Sequence, residues 1–314
     1  MEINIKEVKE EYKESALNLV LDSYQNLKKE ISFLPTKSTY KQKFKDKIEH
    51  LFEKGLGVIA LQEDKLIGFL IGYEVDELFG KDKGVYVPLY AHAAVNNKKR
   101  VYQKMYTRAA ELWINRSCVI HALTIFTCDK DVIHAFYWLG FGLRCIDAIQ
   151  KVDLIEKSSH NKVKIIKAEL KEIELMEELY KKDNLYYGSS PLFMPVNQKS
   201  NIDKLRKWLN KDNHHLWMAL IEDRVVGYIR IEPTGETVIS TYSKMMNITG
   251  AFVEEKYRDK RIGKFLLDEV LIYLKKNNYM LCGVDFESFN ILGSNFWNKY
   301  FKPYTYSVVR HIEK

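Results

Sequence analysis

The chain has 314 residues, 46% hydrophobic and 13% aromatic, which is about two domains of length with ample material for packed cores, and this excludes a disordered or fibrous protein. Its 49 basic and 42 acidic residues leave a net charge of +7, a surplus that calls for neither nucleic acid nor a membrane surface as partner. No apolar run approaches the roughly 18 residues of a membrane span, and the charged start lacks the apolar core of a signal peptide, so a cytoplasmic protein is expected.

The first half opens with a short strand at Ile3–Ile5, and its periodicity predicts helices near 9–29 and 40–54. The stretch Ala60–Ile71 reads as a hairpin: an apolar run, Glu-Asp-Lys at the turn, and an apolar return interrupted by Gly68, where a bulge or close approach is expected. After a further strand, Val101, Met105, Ala109, Leu112 and Trp113 line one face of a helix. Another strand and a helix follow, closing through Phe136–Gly142. Gly140 and Gly142 lack the third glycine of a dinucleotide fingerprint, and no phosphate-binding P-loop occurs. The polar stretch Asp153–Lys162 reads as a linker, dividing the chain into domains at 1–155 and 162–314.

The second half repeats the first. Lys164–Ile166 is its opening strand, helices are expected near 170–182 and 200–210, and a hairpin at 216–232. Within it, Ala219–Arg230 matches Ala60–Ile71 at nearly every position, with Gly227 in the place of Gly68. A strand at Asn247–Val253 leads to a helix whose buried face carries Ile262, Phe265, Leu266, Val270, Tyr273 and Leu274, with Lys264 and Asp268 on the other face. This order predicts an α/β chain, or α+β with a mixed sheet. Cys118, Cys128, Cys145 and Cys282 are too far apart for a zinc pair and read as buried free thiols. His92, His121, His134, His214 and His215 show no ligand spacing, so no metal is expected.

One stretch carries chemistry. Arg258, Lys260 and Arg261 precede the first turn of the helix at Ile262, whose leading backbone N–H groups are unpaired and partially positive. With Lys264 beside it and Gly263 free of a Cβ, this helix start suits an anion, phosphate above all; a solvated basic turn is the plainer reading of the same charges. Arg258-x-x-Arg261-x-Gly263 resembles the pyrophosphate loop of the GCN5-related N-acetyltransferases (GNAT), with Arg261 standing where that family has its first glycine. Downstream, Asn290 and the aromatic segment Phe296–Phe301 resemble the family's later asparagine and last helix, and Phe136–Gly142 resembles the same ending in the first half.

The resemblance implies two tandem acyl-CoA N-acyltransferase domains and an acetyl group passed from acetyl-coenzyme A (acetyl-CoA) to a small-molecule or peptide amine. It places the co-substrate along Phe252 and Val253, on Arg258, Lys260, Arg261, Ile262, Gly263 and Lys264, and near Asn290 and Trp297. The strand Asn247–Val253 carries no carboxylate, so Asn247 or Thr249 could at best position a water. Asp285 and Glu287 are the nearest carboxylates, with Glu287 the candidate base; Glu254 and Glu255 read equally as solvated loop charges. Trp297 falls where the family has its tyrosine acid and an indole gives up no proton, which leaves Tyr300, Tyr304 and Tyr306, with Tyr300 the candidate. The segment Tyr186–Met194 is expected to shape the acceptor pocket. In the first half the matching stretch, Ala94–Met105, has no glycine between strand and helix, so only the second half is expected to hold the co-substrate. A non-catalytic acyl-CoA sensor and a nucleic-acid-associated protein are the competing classes.

Overall fold

The computed structural model describes residues 2–80, 82–154, 162–196 and 202–313. The chain forms two units: Met1–Asp147 with Thr237–Ile239 and Pro303–Lys314, and Ala148–Glu236 with Ser240–Lys302. In the first unit, β1 (Asn4–Glu7) lies antiparallel to β2 (Leu56–Gln62), and β2 to β3 (Lys65–Leu78). Helices α1 (Lys13–Glu30) and α2 (Lys37–Lys54) fill the connection and bury stripes through Leu17, Tyr24 and Leu27, and through Tyr40, Phe44 and Ile48. β4 (Asp82–Val87) is antiparallel to β3, and the short β5 (His92–Ala94) also pairs with β3. α3 (Lys98–Asn115) leads to β6 (Ile120–Phe126), parallel to β4, and α4 (Lys130–Trp138) to β7 (Gly142–Lys151), which passes into the second unit after Asp147.

The second unit repeats the pattern. β8 (Lys164–Lys167) is followed by a tight turn into α5 (Glu177–Tyr187), then α6 (Ile202–Leu209), β9 (His215–Ile221), β10 (Arg224–Glu232), β11 (Met245–Val253), α7 (Ile262–Lys276), β12 (Leu281–Glu287) and α8 (Ile291–Tyr300). Its sheet runs β12-β11-β10-β9-β8, antiparallel except between β11 and β12. Ile173, Met176, Leu179, Leu205, Leu216, Met218 and Tyr228 form the core on one face, and α7 buries Ile262, Leu266, Val270 and Leu274 as its spacing predicts. Asp268, expected on the solvated face of α7, is buried and paired with Lys264.

Both hairpins turn through two residues with left-handed backbone, Glu63 and Asp64 (φ 49° and 58°) and Glu222 and Asp223 (φ 48° and 63°). Each return strand slips register just before its glycine, leaving Ile67 and Val226 unpaired. The glycines are there for close approach: a Cβ on Gly68 would lie 3.1 Å from the Ala93 carbonyl oxygen, and one on Gly227 3.1 Å from that of Phe252.

The last strand, β13 (Lys302–His311), departs from the expected boundary. From Pro303 it belongs to the first unit, antiparallel to β6 with Thr305 opposite Phe126 and His311 opposite Ile120. By compactness the chain divides at Asp147/Ala148 and Lys302/Pro303, with Thr237–Ile239 also in the first unit, while the expected boundary falls between 155 and 162. Most of the expected linker, residues 155–161, lies outside the described residues. Asn247, expected at best to position water, is 3% exposed and donates through Nδ2 to the carbonyls of Pro233 (3.2 Å) and Ser240 (3.0 Å), fixing the loop between β10 and β11. Asn247→Leu leaves both carbonyls without this donor and is expected to cost about 1–3 kcal/mol; an unchanged urea midpoint would remove the amide from the loop's support.

Candidate active site

β11 and β12 pair from Met245 opposite Leu281 to Ile248 opposite Val284 and then part, although they continue to Val253 and Glu287. On its other edge β11 is irregular at the same point. Its ladder with β10 pairs Arg230 with Gly250 and Ile231 with Ile248, so Thr249 is an extra residue that bends the strand. Arg230 fastens this bulge, donating from Nε (3.2 Å) and Nη2 (3.0 Å) to the Thr249 carbonyl. The parted strands open a cleft of about 690 Å³. The Glu254 N–H bonds to the Val226 carbonyl (2.9 Å), so by strand alternation the Val253 N–H faces the cleft edge.

At one end of the cleft stands the start of α7. Its first backbone bond runs from the Phe265 N–H to the Arg261 carbonyl (3.0 Å), and no side chain caps it, so the Ile262, Gly263 and Lys264 amides lead the helix at the cleft wall. Arg261 adopts the left-handed conformation itself (φ 62°), which a glycine would take at no steric cost. A Cβ on Gly263 would meet the Phe296 ring at 3.2 Å, so this glycine admits an aromatic ring of α8 as well as leaving the helix start open. Arg258 bonds the Val253 carbonyl through Nε (3.1 Å) and lies over the rings of Tyr186 (5.1 Å) and Phe252 (5.6 Å). Lys264 pairs with Asp268 and sits 5.6 Å over the Tyr300 ring. Lys260 is the expected residue that does not line the cleft; it is exposed, 5.1 Å over Tyr257. Glu254 is not a solvated loop charge. At 8% exposure it accepts from Lys182 (2.9 Å) and Arg224 (3.2 Å), anchoring the loop to α5 and β10.

Acidic and aromatic side chains also line the cleft. Asp285 and Glu287 line it with Tyr187 and Tyr228. Burial, with help from Glu236 and Glu287, pushes the Asp285 carboxyl up to about 6 against the opposing pull of Arg230. Burial also raises Asp183 to about 6, while the Tyr228 hydroxyl, donating to it at 2.5 Å, works the other way. Tyr187 is held well above its ordinary value by burial and by Asp183, Asp285 and Glu287.

Asn290 caps α8 by accepting from the Gly293 N–H (3.1 Å), and accepts a hydrogen bond from the Tyr186 hydroxyl as well (2.8 Å). Trp297, 7% exposed, packs edge-on against Phe296 at 4.8 Å. Tyr300 lines the cleft, whereas Tyr304 and Tyr306 lie on β13 in the first unit, Tyr304 buried and bonded to the Thr237 hydroxyl (2.9 Å) and Tyr306 opposite Ile125. Neither lines the cleft. Of the segment Tyr186–Met194, Tyr186 and Tyr187 line the cleft. Cys118 and Cys282 are buried free thiols, while Cys128 and Cys145 are half-buried rather than buried. Among the described residues no three His, Cys, Asp or Glu side chains gather to hold a metal, and no helix is long and apolar enough to cross a membrane.

Asp183, Tyr228 and Arg230 were missed in the sequence. Two signals were present: Asp183 falls four residues after Leu179 on the buried stripe of α5, and Arg230 is where the internal match breaks, opposite the apolar Ile71.

In the first unit α3 starts with the same backbone. Asn97 caps it in left-handed conformation (φ 41°), and the Val101 N–H bonds the Asn97 carbonyl (3.1 Å). Lys99 occupies the position of Gly263, and the Lys98 ammonium is taken by Asp129. His92 and Tyr102 are buried and bonded to each other at 2.7 Å.

Residues 176–290 match the acetyltransferase (GNAT) family. No functionally curated protein matches the chain. Among solved structures, a GCN5-related N-acetyltransferase from Sphaerobacter thermophilus is similar over 99% of this chain and 96% of its own, with a TM-score of 0.62 and 12% identity. The glucosamine N-acetyltransferase region of a fungal multi-domain GH3 β-N-acetylglucosaminidase is similar over 98% of this chain and 38% of that one, with a TM-score of 0.56 and 13% identity. At these identities the likeness is one of fold. Because Arg261 holds a conformation that costs an L-residue about 1–2 kcal/mol, partly offset by glycine's greater freedom when unfolded, Arg261→Gly is expected to raise stability by about 0.5–1 kcal/mol. A lower melting temperature for that variant would show that the arginine side chain contributes more than its backbone costs.

Proposed function

We propose that the chain, whose residues 176–290 match the acetyltransferase (GNAT) family, is an N-acetyltransferase that takes acetyl-CoA in the opening between β11 and β12 and transfers its acetyl group to an amine. The observation that carries this is the parting of the parallel pair after Ile248 and Val284, beside a helix start with no protein cap. The residues fit the group. Three leading amides of α7 and the Arg258 and Arg261 guanidiniums suit a pyrophosphate, and the unpaired edge of β11, with the Val253 N–H facing it, suits the amide-bearing pantetheine arm. Bound there, acetyl-CoA supplies a thioester whose carbonyl carbon an amine nitrogen attacks, the C–N bond forming as the C–S bond breaks.

Asp285 then acts as base, accepting the proton that the ammonium must lose, and Glu287 beside it supports the same transfer. The Val253 N–H is positioned to polarise the carbonyl oxygen, and Tyr300, with the Lys264 ammonium over its ring, is the proton source for the departing thiolate. In this reading the two halves are tandem copies of one acyltransferase domain. Shared hairpin turns, bulges and left-handed helix caps support that reading. The first copy keeps the scaffold without the site, since a carboxylate, Asp129, pairs with Lys98 at its helix start.

Thiol release from acetyl-CoA with an amine present tests the reading. With Asp285 pushed up to about 6, the base is protonated and idle below that pH and ionised above it. The ratio kcat/KM is therefore expected to rise through pH 6, and Asp285→Asn to remove that limb and lower kcat by about 10²–10⁴. An unaltered profile and rate in Asp285→Asn would exclude Asp285 as base.

A further inference from the structure

We propose that the Tyr187 hydroxyl aims the attacking nitrogen, accepting the N–H that the product amide keeps while Asp285 takes the one that is lost. This rests on the acetyltransferase reading and adds to it a group on α5. Contacts with the sheet fix where the end of that helix runs. Asp183 accepts from the Tyr228 hydroxyl on β10 (2.5 Å), the Tyr186 ring lies 5.8 Å from that of Phe252 on β11, and the Tyr186 hydroxyl donates to Asn290 (2.8 Å), three residues past the end of β12. The sheet order is β12-β11-β10, so the last turn of α5 spans the opening between β11 and β12. Tyr187 stands on that turn and lines the cleft together with Asp285.

Its ring packs edge-on against Tyr186 at 6.0 Å, but its hydroxyl is left over. Among the described residues no group bonds that hydroxyl, and the oxygen is not shut away from solvent. The hydroxyls of its neighbours are engaged, Tyr186 with Asn290 and Tyr228 with Asp183. A primary amine attacking a thioester directs its lone pair at the carbonyl carbon and carries two N–H groups, one of which is lost. A carboxylate facing both would compete for the second proton and favour the unreactive ammonium, whereas a neutral oxygen accepts that N–H without taking it. Burial and the nearby Asp183, Asp285 and Glu287 hold the Tyr187 phenol protonated, so it is such an oxygen. As the C–N bond forms the nitrogen gains positive charge, and the bond to Tyr187 is strongest in the transition state. The step balances: one proton passes from nitrogen to Asp285, the other stays on the nitrogen, the nitrogen takes the acetyl carbon, the thiolate leaves and is protonated, and Tyr187 keeps its own proton.

The test uses amines that differ by one N–H. Thiol release from acetyl-CoA is followed with butylamine, benzylamine and alaninamide, each beside its N-methyl counterpart, which cannot serve Asp285 and Tyr187 at once. Tyr187→Phe is expected to lower kcat for the primary amines about tenfold to a hundredfold, with KM changed by less than about threefold. The N-methyl amines keep their rates, so the preference for a primary amine falls by the same factor. The rise of kcat/KM through a pH of about 6 remains, because Asp285 is untouched. The melting temperature of the free chain also stays, because the hydroxyl has no bond to lose. Equal losses for primary and N-methyl amines, a loss confined to KM, or a lower melting temperature would overturn the contact. Calorimetric titration of the coenzyme A complex with benzylamine separates this from the chemistry. Weaker binding in Tyr187→Phe with no thiol release from any amine would overturn the acetyl-transfer reading and leave the contact standing, whereas equal binding with no thiol release would overturn both.

Discussion

A parallel strand pair that separates partway along its length must leave backbone donors and acceptors facing no strand, and a protein tolerates that only where something else satisfies them. In this chain the separation follows Ile248 and Val284, beside the Thr249 bulge on the far edge of β11. The cost is contained locally: Arg230 binds the bulged carbonyl, and Asn247 pins the loop that leads into the strand.

The second dependence is the loop from Glu254 to Arg261. Its geometry is set from both ends, by a buried carboxylate that accepts from Lys182 and Arg224 at the strand and by a left-handed residue at the helix. Arg258 joins the loop to Tyr186, whose hydroxyl reaches the cap of α8 at Asn290. The loop that leads into α7 is thus tied to both α5 and the cap of α8. In the first unit the same cap, at Asn97, precedes a helix start that carries Lys99 in place of glycine and has an acidic side chain beside it.

Features written in local pattern were legible in the sequence. The two hairpins, down to the bulge beside Gly68 and Gly227, follow from alternation and from the Glu-Asp turns, and α7 follows from its apolar spacing. Features set by which segment meets which were not. Nothing in β13 says that it pairs with β6, so Tyr304 and Tyr306 looked like candidates for the site although they belong to the first unit's sheet. The charges at Glu254 and Asp268 look solvated until their partners Lys182, Arg224 and Lys264 are placed beside them. Gly263 was singled out as leaving room for a ligand, while the Phe296 ring that lies against it comes from thirty-three residues downstream, beyond the reach of any periodicity.

The central claim is that one of the two repeated halves, the second, holds acetyl-CoA at the start of α7. Calorimetric titration of the intact chain with acetyl-CoA tests it most directly, with Gly263→Val and a Lys98→Ala, Lys99→Ala double variant in parallel. The account predicts one site per chain, lost in Gly263→Val and unaffected by the lysine changes. Two equivalent sites, or one site that disappears only with the lysine changes, would contradict it.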